Sequence, residues 1–323
     1  MSLIERALER LKRENAERRS EAEAVAQSAP APAPGVEASA AAVAVASPPR
    51  AKEPLDSAPA IPCRSDRTLV IDLQVLRTAG ALAPASEERR LAEEYRIIKR
   101  PLLRVMDHGD PQQRRNLVAI TSALPGEGKT FTSINLALSL SMERGRQVIL
   151  VDGDTAKRHV TQVFGLGDEP GLLDVGGEGI GLEQAVIPTD VPSLYVLPAG
   201  TPHTESTEIL RSERTVAALQ ALSSDPRNIV LIDSAPMLVT SEAGVLVSVA
   251  GQVVMVVKAS ETPQEVVLRA VEAVSEDKPV SLLLNQVLSA PERHYGYYYG
   301  GYGYGRPAYG SEAETPPAKE KSP

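Results

Sequence analysis

The chain has 323 residues, 34 of them basic and 42 acidic, for a formal net charge of −8. That length accommodates one large domain, or two small ones with linkers, and the acidic balance argues against non-specific nucleic-acid binding, which needs clustered cations. A single cysteine, Cys63, excludes an intrachain disulfide framework and fits a reducing compartment.

Residues 1–20 are predicted to form a short amphipathic helix, with Ile4, Leu8 and Leu11 along one stripe and Glu and Arg over the rest. So short a helix is marginal alone, so the stripe calls for a partner, either its own domain or another protein. The opening Met1-Ser-Leu-Ile-Glu-Arg lacks the charged-then-apolar layout of a secretion signal. Residues 21–66 are rich in Ala, Pro, Ser and Glu, with eight prolines between Pro30 and Pro62. Such a stretch buries too little apolar surface to offset its ordering entropy and is predicted to be a disordered linker. Ala38–Ala46 within it is apolar but too short for a membrane role, and Cys63, between Pro62 and Arg64, reads as an idle thiol.

From 67 to 290 the pattern becomes globular. A helix is expected to start near Ser86, an N-cap before Glu87 and Glu88, with an apolar stripe of Leu91, Tyr95, Ile98 and Leu102 and an end or kink at Pro101. Strands are predicted at Leu117–Thr121, Val148–Val151, Leu194–Leu197, Ile229–Ile232, Val253–Val257 and Val280–Leu284, with helical stretches such as Thr130–Ser141 and Pro263–Val274 between them. Nearly continuous apolar strands alternating with helices predict an α/β, doubly wound, mostly parallel sheet covered on both faces. With no tryptophan and two phenylalanines, aliphatic side chains must form its core. No apolar run approaches the roughly 20 residues that span a bilayer; the nearest, Gly244–Val257, is shorter and holds Ser248 and Gln252. These features predict a soluble, intracellular protein. Residues 291–323 show neither helix nor strand period and are predicted to be disordered. Yet seven of the chain's nine tyrosines, Tyr295, Tyr297, Tyr298, Tyr299, Tyr302, Tyr304 and Tyr309, crowd there among glycines.

The strongest chemical signal is Ala123-Leu-Pro-Gly-Glu-Gly-Lys-Thr130, directly after one predicted strand and before a predicted helix. It is a P-loop (Walker A motif), with Ala123 where the usual first glycine stands. Gly126 and Gly128 let backbone amides turn toward phosphate oxygens, Lys129 suits the β- and γ-phosphates, and the Thr130 hydroxyl suits Mg²⁺. The helix N-terminus adds its positive end. Pro125, Gly126, Glu127, Gly128, Lys129, Thr130 and Phe131 therefore form the expected nucleotide-binding segment. Two further strands end in acids: Val148-Ile-Leu-Val-Asp-Gly-Asp154, with Asp152 and Asp154, and Ile229-Val-Leu-Ile-Asp233, whose aspartate is the expected Walker B ligand of Mg²⁺. Carboxylates at the carboxyl ends of parallel strands lie where open α/β sheets bind ligands.

Together these motifs resemble the bacterial tyrosine kinases, over roughly residues 67–310. The resemblance rests on the P-loop, the second acidic motif Val151-Asp-Gly-Asp154 (Walker A′), Walker B at Asp233 and the tyrosine cluster. Leu197-Pro-Ala-Gly200 and Leu284-Asn285 look like that family's segments near the nucleotide base, which makes Asn285 a candidate for adenine contact. The opening Ser-Leu-Ile-Glu-Arg-Ala-Leu and Ile71-Asp-Leu-Gln-Val-Leu-Arg77 resemble autokinases encoded with exosortase-linked exopolysaccharide loci. The family's interface motif Glu-x-x-Arg-x-x-Arg appears as Glu93, Arg96 and Lys99, followed by Arg100; lysine keeps an ion pair but not a bidentate fork.

The resemblance implies an ATP- and Mg²⁺-dependent tyrosine autokinase that modifies its own tail, in trans between subunits of a ring-like homo-oligomer, in the regulation of exopolysaccharide synthesis or export. Lys129 and Mg²⁺, held by Thr130, Asp233 and Asp154, would neutralise the phosphates, with Asp152 as the base and Asp154 assisting it, or the two exchanged. Family members without membrane spans work with a separate membrane activator of the polysaccharide chain-length (co-polymerase) type, which implies a cytoplasmic location peripheral to the inner membrane, and a tyrosine phosphatase to reset the tail. The N-terminal helix is a second docking candidate. The chief rival is the partitioning and septum-positioning ATPase group, which shares fold and Walker A′ but carries a second lysine at the position of Leu124. Other readings are a non-catalytic, nucleotide-gated scaffold of an export complex and a tail serving adhesion or condensation.

Overall fold

The computed structural model describes residues 61–64 and 66–287. The helix expected over 1–20, most of the linker and the whole tyrosine tail lie outside these residues. All six predicted strands form: β1 (Leu117–Ser122), β2 (Gln147–Asp152), β4 (Leu194–Leu197), β5 (Asn228–Asp233), β6 (Gln252–Lys258) and β7 (Val280–Asn285). A seventh, β3 (Ile187–Pro188), is only two residues long and pairs antiparallel with β4 at the sheet edge. It was not legible because so short a run, ending in a residue without an N–H, carries no strand pattern. The strand order is β3-β4-β2-β5-β1-β6-β7, parallel throughout except at β3.

The inner strands β1, β2, β5 and β6 read as unbroken apolar runs because both faces are covered, whereas β7 at the sheet edge leaves Leu282 and Leu284 exposed. Val118 and Ile120, Val148 and Leu150, Ile229 and Leu231, and Val254 and Val256 face one core. There they meet helices α2 (Glu88–His108) and α3 (Lys129–Ser141) through Tyr95, Leu102, Ile134, Leu136 and Leu140. The alternate residues Ile149, Val151, Val230 and Ile232 face the other side, against Leu172, Leu219 and Leu246 of α5 (Leu172–Gly177), α8 (Glu213–Leu222) and α9 (Ser241–Val249). A third cluster packs Val253, Met255 and Val257 under α10 (Gln264–Glu272). The remaining helices, α1 (Leu73–Thr78), α4 (His159–Val163), α6 (Leu182–Ala185) and α7 (Ser206–Arg211), are single turns or little more. Among the described residues no helix is long and apolar enough to cross a membrane.

Two local expectations are corrected. Pro101 does not end α2: the helix runs from Glu88 to His108, with Glu87 rather than Ser86 at the cap position. A proline inside a helix costs about 3 kcal/mol, but Pro101 is on the exposed face. The turns beyond it seat Leu102, with Leu103 and Met106 packed beside it, and full burial of one such side chain is worth about 1.5–3 kcal/mol. The second correction is at the linker boundary. Ile61 is buried in the second cluster, and the Arg64 N–H bonds to the Val186 carbonyl at 2.8 Å. The Leu69 N–H bonds to the Pro188 carbonyl, also at 2.8 Å. Residues 61–64, proline-rich by composition, thus border the β3 edge. Cys63 packs there half-buried, and burial pushes its thiol up, which suits an inert side chain.

Candidate active site

β1 delivers the chain into the loop 123–128, and α3 begins at Lys129. Gly126 and Gly128 adopt φ of 80° and 91°, the left-handed region that glycine enters without penalty. A Cβ on Gly128 would also run into the Asn285 amide. The Lys129 side chain is 7% exposed, and its Nζ donates to Ser122 Oγ at 3.1 Å. Burial lowers its pKa, against the pull of Asp233 and Asp154. A buried ammonium has three donors, and a neutral hydroxyl satisfies one of them; the site suits an anion.

Asp233 closes β5, fully buried. Thr130 Oγ1 donates to its Oδ2 at 2.7 Å and Ser133 Oγ to its Oδ1 at 2.9 Å. Burial first, then the Asp152 charge, pushes the Asp233 carboxyl up to about 7, against these hydroxyl donors and Lys129. Asp152 stands opposite Asp233 in the β2–β5 register. Its Oδ2 accepts the Thr161 N–H and the Thr161 hydroxyl, each at 2.7 Å, whereas its Oδ1 is buried without a partner. Burial raises it to about 6. Asp154 is also buried and accepts the Lys157 N–H at 3.1 Å. The Gly153 N–H bonds to the Asp233 carbonyl at 2.8 Å, tying the two acidic strand ends together.

Lys129, Thr130, Asp152, Asp154 and Asp233 are therefore brought together, as expected. Several other expected residues already make contacts within the chain. The Phe131 side chain packs into the first core cluster, so only its backbone remains for a nucleotide. Pro125 and Gly126 form the exposed loop tip, while Glu127 is buried beneath it. Asn285 commits its Nδ2 to the Glu127 carbonyl at 2.9 Å, so it braces the loop from β7. Glu93 and Arg96 pair with each other at 2.6 Å on the exposed face of α2. Lys99 does not share that face. It is buried, and its Nζ bonds to the Ser139 carbonyl and to Glu143 Oε1, each at 2.7 Å, at the end of α3. Lys99 sits four residues after Tyr95, on the inward stripe, and this corrects its assignment to an intersubunit surface. The tail tyrosines lie outside the described residues.

Sequence reasoning missed Ser122, Ser133 and Thr161. Ser133 lies three residues after Thr130 on one helix face, a spacing that could have found it. Thr161 carries no such signal, because only the fold returns α4 to the end of β2.

A strand, a glycine-rich loop, a helix N-terminus and facing acidic strand ends define a P-loop nucleotide-binding protein, a fold that works with a divalent metal. Residues 115–280 match the AAA domain family. The tyrosine-protein kinase YwqD of Bacillus subtilis is 30% identical over 209 residues, which cover 64% of this chain and 86% of YwqD. EpsB of Ralstonia solanacearum, also named as a tyrosine-protein kinase, is 31% identical over 208 residues, 63% of this chain but 27% of EpsB. Among solved structures, the VpsO kinase domain superposes with a TM-score of 0.54 at 27% identity, covering 64% of this chain and 100% of that one. The chain belongs to the bacterial tyrosine-protein kinases, within the AAA domain family.

Proposed function

We propose that the chain is an ATP-dependent protein-tyrosine autokinase whose acceptors are the tyrosines of its own tail. The observation that carries this reading is the junction of a buried, anion-seeking Lys129 with the Thr130–Asp233 pair and Asp152. Of the two tyrosines outside the tail, Tyr95 is buried in the core and so closed to phosphoryl transfer, and Tyr195 stands half-buried in β4.

Phosphoryl transfer asks a protein chiefly for positioning and charge neutralisation. Amides of the loop hold the phosphates and Lys129 offsets their charge. The orphaned Asp152 Oδ1 and the hydroxyl–carboxylate pair fit a hard cation that keeps several waters. Thr130, Asp233 and, through water, Asp154 would hold Mg²⁺, which when bound supplies further charge neutralisation. A tyrosine hydroxyl ionises near pH 10, so a carboxylate must take its proton as transfer proceeds. Asp152, raised toward neutrality by burial, is our choice, with Asp154 assisting.

We extend the reading to transfer in trans within a ring-like homo-oligomer, regulating exopolysaccharide synthesis or export. In this reading a separate membrane co-polymerase protein activates the kinase at the inner membrane face and a tyrosine phosphatase resets it. Leu124 argues against the partitioning ATPase alternative: it packs against the third core cluster where that group carries a lysine. Incubating the purified chain with ATP and Mg²⁺ and probing for phosphotyrosine tests the proposal. Signal in wild type and none in Lys129→Met is expected; signal in both, or in neither, sinks it.

A further inference from the structure

Glu127 is an acid inside a phosphate-binding loop, at a position that the P-loop pattern leaves free. Facing the phosphates, it would repel them. It is instead 2% exposed, and both carboxylate oxygens are committed to donors of the protein. Oε2 accepts the Leu124 N–H at 2.7 Å. Oε1 accepts the Lys258 N–H at 3.3 Å and the Thr262 hydroxyl. Lys258 is the last residue of β6 and Thr262 lies in the turn before α10. The same piece of loop is held a second way, by side chains at the end of β7. Asn285 Nδ2 donates to the Glu127 carbonyl at 2.9 Å, and Gln286 Nε2 donates to the Gly126 carbonyl at 3.3 Å.

We propose that Glu127 is a positioning residue whose carboxylate straps the phosphate-binding loop to the carboxyl end of β6, holding the loop in its receiving shape before nucleotide arrives. The inference rests on the nucleotide-binding part of the function proposed above and not on the acceptor. Without the carboxylate, the Leu124 and Lys258 N–H groups lose their partner in a partly buried setting, and the nucleotide itself must order the loop. The loss therefore falls on affinity. Lys129, Thr130 and Asp233, which act on the bound phosphates, keep their own contacts, so turnover at saturation changes little.

The test uses the full chain and two readouts: the equilibrium Kd for a fluorescent ADP analogue, and KM for ATP against kcat for autophosphorylation. Glu127→Ala is expected to weaken analogue binding and raise KM about tenfold or more, with kcat within about threefold. Glu127→Gln keeps an oxygen for the Leu124 N–H and offers its NH₂ to the Thr262 hydroxyl, which turns to accept it; the Lys258 N–H, whose 3.3 Å bond is the longest that the carboxylate accepts, is the one donor left without its acceptor. That variant is expected within about threefold of wild type, and adding Thr262→Val is expected to restore the alanine-like loss. Unchanged analogue affinity in Glu127→Ala overturns the strap, as does a fall in kcat with KM unchanged. If the alanine variant fails to fold, the glutamine variant and its Thr262→Val double decide: equal affinities overturn the proposal. If wild type binds the analogue but phosphorylates no tyrosine, the kinase reading fails and the strap is judged on Kd alone.

Discussion

Lys129 holds its charge where water is scarce, with Ser122 Oγ as its hydrogen-bond partner, so it serves phosphate at some expense to the fold. Lys129→Met is accordingly expected to abolish phosphotransfer while leaving the melting temperature of the nucleotide-free protein equal to wild type or higher, measured by thermal denaturation. A fall of several degrees would show that the ammonium supports the core instead. Asp152 and Asp233 pose the same conflict with the opposite charge. Both keep their protons, to about pH 6 and about pH 7, where an unfolded chain has already lost them near 4. The folded state then binds more protons, so their contribution is complete below pH 4 and is lost as pH rises through 6 and 7. In chelator, Asp152→Asn and Asp233→Asn are each expected to raise the melting temperature at pH 8 by a few degrees, at about 2–4 °C per kcal/mol. Each is also expected to flatten the profile between pH 5 and 8. A profile as steep as wild type in both variants would refute this account.

At the level of elements, α2 has two working faces. The inner one ends in Lys99, which meets the Ser139 carbonyl and Glu143 at the C-terminus of α3, where a cation also complements the helix dipole. Lys99→Met is expected to cost about 1–2 kcal/mol of stability, read by denaturant melts, without altering subunit association beyond that. The outer face carries the exposed Glu93–Arg96 pair, which contributes little to the fold of one chain. We propose it as the subunit contact. Glu93→Arg and Arg96→Glu are each expected to disperse the oligomer seen by light scattering, with melting temperatures near wild type. A wild-type protein that stays monomeric at high concentration with MgATP would rule this out. The element also shows a limit of pattern reading: Lys99 matched an interface motif by spacing, but its distance from Tyr95 set it inward.

At the scale of the whole molecule, the described chain ends at Val287, just beyond β7. The tail tyrosines follow 8 to 22 residues later, a length of chain that can span at most roughly 26–79 Å. Asp233 lies three strands from β7, about 14 Å at the usual spacing, so length permits transfer within or between chains, and the family resemblance favours between. Each phosphotyrosine adds about −1.5 to −2 charges at pH 7, so seven would add roughly −10 to −14 to a chain already at −8. We expect that load to separate subunits and limit the reaction. Mixing an intact Lys129→Met chain with wild type truncated after Glu292 tests both points. Phosphate is expected on the Lys129→Met chain, with sedimentation shifting to monomer as phosphates accumulate. No transfer refutes the trans reading, and unshifted sedimentation refutes the charge switch.

The sequence by itself determined the sheet and its chemistry. Runs such as Val148–Val151 are apolar at every position because both faces are covered, and the spacing from Gly126 to Thr130 follows from the loop geometry that phosphate requires. Both are local signals, written in adjacent residues. Only the tertiary structure decided what those residues touch. It set Thr161 against Asp152, gave Glu127 to Thr262 and Lys258 and not to phosphate, and laid Ile61–Arg64 along an edge strand too short to announce itself. Each of these depends on which distant segment the fold brings within about 3 Å, a hydrogen-bond distance. No periodicity along the chain encodes that.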